Sequence, residues 1–561
     1  MRWERVYASD FETTTEKNLA TDGCVRVWLW SIVSLDETEV YWGTTIQSWW
    51  DKLIELKATV VWFHNLRFDG SFVVDWALRA GIPCDPLIDG MGSWYSVNLE
   101  YTSARKTRHI ELRDSLKKFP GQSVASLAKM HAYPDKHEKP DFDRYWPIDY
   151  KPTAEEVEYC LQDSRIVAHA MQLQYQAGHK ALTLAGDAFR DVQKSLGGWG
   201  WFKNIFPKLD RLVDAFCRES YKGGYVYCNP LYQGKTLQGV RVFDVNSLYP
   251  YVMYTCALPY GPVVEVDHIP KNPAYGYIVK IRCSFRLRKG FLPTIQLKHD
   301  VRFDGTEYLS RGDDVYLTLT GVDYELFHKH YHVEDEQIIG CYMFRLKVGL
   351  MKPYIDYWTN VKIECKKNGD KAGYYLAKRY LNSPYGKFGT RPDKDNKKPY
   401  LDEHGDVRFH VEEELGDGVY IPYASYVCAC ARRITITAAQ AHYDQFVYAD
   451  TDSIHLIGEW PSELDVDPVR LGAWDNEEVC PYAKYLRPKT YIHADENLEV
   501  TNIKCAGLPE SARADIGWDD FQLGAVFDGK SLQKRVKGGV IITKTTFEIK
   551  GEPEDVKAIE V

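Results

Sequence analysis

The sequence lacks any long apolar run. No uninterrupted apolar stretch approaches the roughly 18 to 20 residues that a membrane-spanning helix needs, and the opening segment MRWERVYASD carries no apolar signal-peptide core. With 45% apolar and 27% charged residues, the composition is typical of a soluble globular protein and excludes disordered and fibrous classes. We therefore expect a cytosolic protein that does not associate with membranes.

Closely spaced cysteine pairs are also lacking. The thirteen cysteines are an odd number, scattered along the chain without a CxxC pair. This distribution argues against a disulfide framework and against a structural zinc site. The neighbours Cys428 and Cys430 are more typical of packed small residues.

An excess of positive charge is missing as well. The formal net charge of -9 gives the chain no global attraction to nucleic acid. Binding to phosphates would require local concentrations of basic residues, for which the pairs Lys366-Lys367, Arg432-Arg433 and Lys534-Arg535 are candidates.

What the chain has is length. Its 561 residues are too many for one ordinary core, so several domains are expected. Residues 1 to about 184 alternate strand-like runs with amphipathic helices, an α/β pattern, and KSLGGWGWFKN predicts a boundary near residue 185. A mixed stretch at about 256–353 then precedes a predicted helical pair interrupted at Asn368-Gly369. The polar stretch that follows is predicted to be an excursion from the body of the protein.

Two aspartates lie inside an apolar run of strand-forming residues, QFVYADTDSIHLIG. Aspartate is depleted in strands and favoured in turns, so the pattern predicts a hairpin with Asp450 and Asp452 at its tip. Residues two apart in an extended chain point the same way, and hard carboxylate ligands suit Mg²⁺ between them. Taken alone, such a motif is more often a surface turn.

Two further elements favour a functional site. Asp244 follows a strand-like run in VRVFDVNSLYP, and two strand-end acidic groups can hold a pair of metal ions about 3.5 to 4 Å apart for phosphoryl transfer. In KRYLNSPYGKFG, the side chains of Lys378, Asn382 and Tyr385 fall at i, i+4 and i+7 and are predicted to share one helical face. Lysine there suits a polyphosphate and tyrosine a stacking surface. That face alone is more often a solvated helix side.

The N-terminal part has carboxylates of its own. SDFETTT places Asp10 and Glu12 on one face of a strand, and FHNLRFDGSF supplies Asp69 in a predicted turn. YCLQD spaces Tyr159 and Asp163 one helical turn apart. Each piece taken separately is more often structural.

In their order along the chain, DVNSLYP, KRYLNSPYGKFG and YADTDS resemble the three palm-and-fingers motifs of family B DNA polymerases. The N-terminal carboxylates together resemble the four-carboxylate, two-metal site of DEDD-type 3'-5' exonucleases. About residues 5 to 550 are similar to the protein-primed branch of the family, the phage polymerases of the phi29 type. That branch is marked by two insertions between the motifs, and both intervals are occupied in this chain.

The resemblance implies an α/β and α+β multidomain fold, in which an RNase H-like 3'-5' exonuclease domain precedes a right-hand polymerase with two protein-priming insertions. The implied segments are the exonuclease 1–184, the palm 185–255 and 422–506, the first terminal-protein insertion 256–353, the fingers 354–390, the second insertion 391–421, the thumb 507–550 and a tail 551–561.

The resemblance also implies roles for individual residues. The implied polymerase metal ligands are the carboxylates of Asp244, Asp450 and Asp452 with the carbonyl of Val245. The implied nucleotide contacts are Tyr249, Lys366, Lys378, Asn382 and Tyr385. In the exonuclease, the implied metal ligands are Asp10, Glu12, Asp69 and Asp163, assisted by Tyr159 and Lys139, with Asp141 as an extra ligand. The implied DNA contacts are Thr13, His64, Asn65, Phe68, Ser115, Leu116, Tyr221, Gly223, Gly224, Lys489, Tyr491 and Lys504.

The activity implied is that of a DNA-directed DNA polymerase with strand displacement and proofreading, acting in the cytoplasm of an infected bacterium. Two Mg²⁺ ions per active site are expected, with Mn²⁺ as a substitute. The expected partners are primer-template DNA, single-stranded DNA, dNTPs and a terminal protein that serves as primer in a heterodimer; otherwise we expect a monomer.

Two positions depart from the family pattern, and alternatives remain. Pro384 stands where the family has leucine, and Cys428 stands where it has threonine. The alternatives are a nucleic-acid-primed family B polymerase, a stand-alone DEDD nuclease and a non-catalytic replication scaffold.

Overall fold

The computed structural model describes residues 5–103, 105–134, 144–297, 307–508, 513 and 516–550. Lys139 and Asp141 lie outside these described residues. Over the described ranges the fold combines mixed and antiparallel sheets with helices that cover them, which confirms the expected α/β and α+β multidomain class. Among the helices in these ranges, none has the length and apolar character needed to cross a membrane.

The N-terminal unit is a seven-stranded mixed sheet with helices on both faces. Its elements are β1 Val6–Thr13, α1 Glu16–Asp22, β2 Val27–Ser34, β3 Val40–Gly43, α2 Ile46–Glu55, β4 Val60–Phe63, α3 Leu66–Ala80, β5 Cys84–Ile88, β6 Trp94–Ser103, β7 Lys106–Asp114, α4 Val124–Met130 and α5 Ala154–Gln176. The strand order is β3-β2-β1-β4-β7-β6-β5, and β1, β4 and β7 run parallel at the centre. The strand β2 is buried along its whole length because helices pack on both of its faces.

Helices then lead into a second sheet and a separate four-stranded sheet. These elements are α6 Leu184–Ser195, α7 Trp199–Ile205, α8 Arg211–Glu219, β8 Val226–Cys228, β9 Thr236–Val245, α9 Leu248–Thr255, β10 Ala257–Val266, β11 Tyr275–Leu287, β12 Ile295–Leu297, β13 Glu307–Leu309, β14 Arg311–Thr320, α10 Gly321–His330 and β15 Tyr331–Val348. The four-stranded sheet has the order β10-β15-β11-β14 and is antiparallel throughout.

The predicted helical pair is confirmed. It consists of α11 Lys352–Lys367 and α12 Lys371–Asn382, separated at Asn368-Gly369-Asp370, and is followed by the short α13 Pro384–Phe388. Pro384 occupies the first turn of α13, where its missing amide hydrogen costs no helical hydrogen bond. Pro384, the proline that replaces the family's leucine, therefore begins a new helix.

The remaining elements complete the second sheet and add two hairpins. They are β16 Lys394–Leu401, β17 Val407–Glu414, α14 Ile421–Ala441, β18 Phe446–Asp450, β19 Ser453–Leu456, β20 Trp474–Arg487, β21 Thr490–Ala494, β22 Val500–Cys505, β23 Val526–Val536 and β24 Gly539–Glu548. The second seven-stranded sheet has the order β22-β21-β20-β9-β19-β18-β8, and every neighbouring pair in it is antiparallel.

Both hairpins pack against the N-terminal unit. In the first hairpin, the side chain of Asn396 accepts a hydrogen bond from the Ile88 amide at 3.1 Å. In the second, Val540 and Ile541 lie in the core of the N-terminal unit. The two hairpins also meet, since the guanidinium of Arg535 lies 4.0 Å from the ring centroid of Phe409. The excursion predicted from the polar stretch is therefore a hairpin that contacts the rest of the fold.

Candidate functional site

The motif around Asp450 and Asp452 forms the predicted hairpin. Strand β18 ends at Asp450 and β19 begins at Ser453, with Thr451 in the left-handed region at φ 63°. The turn is held from outside, because the Thr451 amide donates to the Tyr225 carbonyl at 2.7 Å. The hydroxyl of Thr435 on α14 also donates to the Thr451 carbonyl, at 2.7 Å. These contacts hold the two carboxylates in a defined orientation.

Strand register brings Asp244 to the same place. Asp244 on β9 pairs with Ser453 on β19, and the Val245 amide donates to the Asp452 carbonyl at 2.8 Å. Burial, followed by repulsion from Asp452, raises the pKa of Asp244 to about 8. Burial and the neighbouring Asp450 likewise raise the pKa of Asp452. We call Asp244, Asp450 and Asp452 the palm cluster; its packed carboxyls have the chemistry of a divalent-cation site.

The two hairpin aspartates have different partners. The ammonium of Lys489 lies 2.7 and 2.9 Å from the two carboxylate oxygens of Asp450. The charge that acts most closely on Asp452 is instead that of another carboxylate, Asp450, and the opposing positive charge comes from Lys378. Asp452 is therefore the aspartate with more to gain from a metal ion.

Several charged residues beside the palm cluster were not predicted from the sequence. Asp475 on β20 pairs with Asp244, and a bulge next to it brings the charge of Glu477 close enough to raise the pKa of Asp244. On α11, the ammonium of Lys362 lies 3.4 Å from the hydroxyl of Ser247. The acidic run DNEE could have indicated the first two residues; Lys362 required knowledge of the helix packing.

Three lysines concentrate positive charge next to these carboxylates. Burial, then the charges of Lys378 and Lys366, lower the pKa of Lys362. The same Lys378 opposes the raised pKa of Asp244. A polyphosphate would relieve the repulsion among the ammonium groups, so the arrangement is suited to a nucleoside triphosphate.

Two tyrosines stack at this site. The rings of Tyr249 on α9 and Tyr385 on α13 lie 4.1 Å apart between centroids, at an angle of 17°. The single helical face expected for Lys378, Asn382 and Tyr385 is wrong, because the helix stops at Asn382 and Tyr385 belongs to the next helix. The interruption at Pro384 is the physical reason.

The segment YKGGY passes close to the palm cluster. A side chain at Gly224 would collide with Thr451, since a Cβ there would lie 2.7 Å from its side-chain atoms. The carbonyls of Lys222 and Gly223 accept hydrogen bonds from the guanidinium of Arg432 at 2.8 and 2.7 Å. Arg432 is only 2% exposed and pairs with Asp323, so it cannot line a DNA channel as its basic pair suggested.

The carboxylates of the N-terminal unit form a second group, which we call the N-terminal cluster: Asp10, Glu12, Asp69 and Asp163. Asp10 and Glu12 lie on β1, and Asp163 lies on α5. Asp69 lies in the first turn of α3, so its placement in a turn was wrong. Burial raises the pKa of Asp69 to about 8, and the negative charges of Asp114 and Asp163 contribute.

Two features of the N-terminal cluster fit divalent cations. The Oδ1 atom of Asp69 is buried without a hydrogen-bond partner among the described residues. Ligand atoms of Asp10, Glu12 and Cys160 lie within 4.8 Å of one another. Cys160 was not among the residues predicted from the sequence, and burial raises the pKa of its thiol well above the usual range. Tyr159, one helical turn before Asp163, lies in the same helix and is 5% exposed.

The residues expected to hold a single strand lie at the ends of two parallel strands, β4 and β7. Asn65 adopts the left-handed conformation at φ 70°, and its amide donates to the Asp114 carboxylate at 3.0 Å. His64 Nδ1 and the hydroxyl of Ser115 are 2.8 Å apart. Phe68 follows within α3, and the Leu116 amide also donates to Asp114. The strand ends therefore bring these five residues together.

Of the other expected DNA contacts, some lie on strands and some lie in the segments that connect them. Tyr491 on β21 pairs directly with Lys504 on β22, and Lys489 precedes β21 in the left-handed conformation. Thr13 ends β1 at a bulge beside Glu12. Tyr221 packs against Gly389, at which a Cβ would lie 2.6 Å from the ring.

Comparison with known proteins gives consistent matches. The family model described as DNA polymerase type B, organellar and viral, matches residues 137–468. The DNA polymerase of Bacillus phage Nf is 37% identical, with 97% of this chain and 100% of that protein covered. The DNA polymerase of Streptococcus phage Cp-1 is 33% identical, with 97% and 98% covered. The solved structure of phi29 DNA polymerase with primer-template DNA and incoming nucleotide substrates has a TM-score of 0.90 and 35% identity, over 98% of this chain and 100% of that chain.

Proposed function

The chain belongs to the type B DNA polymerases of the phi29 kind, and on that premise we propose that it copies DNA by protein priming with strand displacement and proofreads by 3'-5' hydrolysis. The observation that carries this proposal is the strand register that sets Asp244 beside Asp452, with Lys378 opposite them. A scaffold without catalysis would have no need for buried carboxylates whose charges repel. We place its action in the cytoplasm of an infected bacterium, because the relatives belong to bacteriophages.

For polymerisation, Asp244 and Asp452 would be direct metal ligands, with the Val245 carbonyl and Asp450 assisting. A pair of Mg²⁺ ions would supply a lowered pKa at the primer hydroxyl and stabilisation of the departing pyrophosphate. Lys489 holds Asp450 through a bidentate ion pair, so the hairpin tip keeps its orientation toward Asp244.

The incoming nucleotide would lie between the lysines and the stacked tyrosines. Lys362 and Lys378 would bind its phosphates, with Lys366 nearby and exposed. Tyr385 would pack against the new base pair and Asn382 would lie alongside on α12. Tyr249, fixed by its stack on Tyr385, would lie against the sugar and leave no room for a 2'-hydroxyl.

For proofreading, Asp10, Glu12, Asp69 and Asp163 would hold the metals and Tyr159 would position the attacking water. Binding alone often separates similar substrates by only about 1 to 3 kcal/mol, so high fidelity calls for a second, hydrolytic test. The strand-end group that contains His64, Asn65, Phe68, Ser115 and Leu116 would hold the frayed primer end. Lys139 and Asp141 are proposed helpers that lie outside the described residues.

The two insertions would give the polymerase its priming and displacement activities. Contacts between the hairpin β16–β17, the hairpin β23–β24 and the N-terminal unit support a closed path around the template. The terminal protein would contact the insertions and present a hydroxyl in place of a primer end. Steep salt dependence of primer-template binding is expected, because each lysine or arginine that contacts a phosphate releases counterions from the DNA.

An incubation with the candidate terminal protein, run beside an oligonucleotide primer-extension assay, distinguishes protein priming from its alternatives. The polymerase is mixed with labelled dATP, Mg²⁺ and the candidate terminal protein encoded beside it, and labelled protein is sought after denaturing electrophoresis. A covalent protein-nucleotide adduct is expected. An enzyme that extends an oligonucleotide primer but forms no adduct would instead be nucleic-acid-primed, and one that only degrades DNA would be a stand-alone nuclease.

A further inference from the structure

A thiol, an imidazole and a carboxylate meet on the second sheet, next to the palm cluster but separate from it. Glu478 and Cys480 lie two residues apart on β20, and His493 lies on the adjacent β21. Cys480 and His493 are each 1% exposed, while the side chain of Glu478 is 29% exposed. Ligand atoms of all three lie within 4.8 Å of one another. The mechanism proposed above uses none of them.

We propose that Glu478, Cys480 and His493 bind one zinc ion. Zinc takes sulfur at about 2.3 Å and nitrogen or oxygen at about 2.0 to 2.2 Å, so tetrahedral ligands lie roughly 3.4 to 3.6 Å apart. The Nδ1 atom of His493 and the Oε2 atom of Glu478 lie 2.9 Å apart and would separate by about 0.5 Å, while all three ligand atoms already lie within 4.8 Å of one another. The mixed sulfur, nitrogen and oxygen set favours zinc over magnesium, which prefers oxygen ligands.

The outer hydrogen bonds are arranged as a metal-bound histidine requires. His493 presents Nδ1 toward Glu478, 2.9 Å from its Oε2, and its other ring nitrogen lies 3.2 Å from the Tyr485 hydroxyl. That hydroxyl is in turn 2.7 Å from Nδ1 of the buried His455. With His493 Nε2–H donating to Tyr485 and Tyr485 donating to His455, the lone pair of His493 Nδ1 is free for a metal.

Without metal, the same groups hold protons. Glu478 accepts hydrogen bonds from His493 and from the Cys480 thiol, and burial keeps the pKa of that thiol above its usual range. Zinc binding displaces the Cys480 thiol proton to solvent, and the neutral His493 ring then carries its one proton on Nε2 while Nδ1 faces the metal. Glu478 is the partly exposed member, which leaves its side of the site open to an incoming ion and to a water as fourth ligand.

The positions of these three ligands in the chain explain why the sequence did not predict a zinc site. The usual zinc signature places two cysteines three positions apart in a CxxC pair, whereas here a register across two strands supplies the third ligand. A zinc ion would join β20 to β21, the hairpin that carries Lys489 and Tyr491. His493 stacks on Tyr491 at 4.9 Å between centroids, so the ion would also fix that ring.

The test uses the full-length protein, stripped with a chelator and held in excess Mg²⁺ so that the carboxylate clusters are occupied. Co²⁺ is added as a spectroscopic substitute for zinc, and the thiolate-to-cobalt charge-transfer absorption is followed; zinc retained after gel filtration is measured by mass spectrometry. Cys480→Ser and His493→Gln remove ligands, and Tyr485→Phe removes the outer hydrogen bond. Cys256→Ser, which removes a thiol whose pKa is lowered to about 7, is the matched control.

Saturation at one ion per chain is expected, with the absorption lost in Cys480→Ser and His493→Gln but kept in Cys256→Ser. Tyr485→Phe should weaken affinity roughly 10- to 100-fold. Absence of the absorption in the wild type, its survival in Cys480→Ser, or equal loss in Cys256→Ser would overturn the proposal. Circular dichroism checks that each variant is folded. If Cys480→Ser is unfolded, the absorption of His493→Gln alone tests the proposal.

Discussion

Replacing Asp323 by alanine should loosen the YKGGY segment. The guanidinium of Arg432 is 2% exposed and makes bonds of 2.7 and 2.8 Å from Nη2 to the Asp323 carboxylate, besides its two bonds to the carbonyls of Lys222 and Gly223. Removing one partner of a buried ion pair leaves an uncompensated charge and costs about 3 to 5 kcal/mol. At about 1.4 kcal/mol per factor of ten, even the lower figure raises the population of locally open states roughly a hundredfold.

Amide hydrogen exchange across residues 218–228 measures that opening directly. A neighbouring ion pair offers a matched control: Glu325 and Arg433 join the same two helices at 3.9 Å, with side chains 71% and 43% exposed. Exposed pairs contribute at most about 1 kcal/mol, so Glu325→Ala should change exchange less than about fivefold. Two results would contradict this: equal changes of the exchange rates in the two variants, or rates in Asp323→Ala that stay within fivefold of wild type. Either result would refute the conclusion that the buried Arg432 holds the YKGGY segment in place.

Three further predictions concern the two carboxylate clusters and the side chains beside them. Tyr249→Val should increase ribonucleotide incorporation, and unchanged sugar selectivity in primer extension would remove the role given to that ring. Lys362→Met should raise the KM for dNTPs at least tenfold and more than Lys366→Met, because Lys362 is half-buried beside Ser247 while Lys366 is exposed; a larger effect of Lys366 would reverse the assignment. Asp244 and Asp69 have pKa values raised to about 8, so the contribution of these two carboxyls to the stability of the metal-free fold falls as pH rises from about 4 toward 8. Mg²⁺ needs the deprotonated carboxylates, so the rise in Tm that it causes should be larger at about pH 8.5 than at about pH 6, and an equal rise would contradict this.

The palm hairpin was predicted correctly because the residues that indicate it are neighbours in the chain. Aspartates interrupt an apolar strand run at the turn, and the structure places Asp450 and Asp452 at that turn. The break at Asn368-Gly369 was predicted for the same reason. Its position at the end of an apolar strand run also singled out Asp244, although its strand pairing with Ser453 joins residues about two hundred positions apart.

Where a prediction from the sequence was wrong or missing, a contact between residues distant in the chain determines the local structure. The sequence around Asp69 was interpreted as a turn, yet Asp69 and Gly70 lie inside a helix, and a Cβ at Gly70 would lie 2.9 Å from the Trp94 ring. Its small size serves close packing rather than a turn. The charge pair at Arg432 suggested a DNA contact, but its partner Asp323 lies more than a hundred residues away. Lys362 was missed since only helix packing brings it to Ser247.

The central claim is that the chain has two separate carboxylate sites with opposite effects on a primer end. A primer-template labelled at the 5' end of the primer tests it in one gel, with Mg²⁺ and with or without dNTPs. Asp452→Asn should lose extension and keep shortening, whereas Asp10→Ala with Asp69→Ala should keep extension and lose shortening. Loss of both activities in either protein, with its fold intact by circular dichroism, would contradict the account.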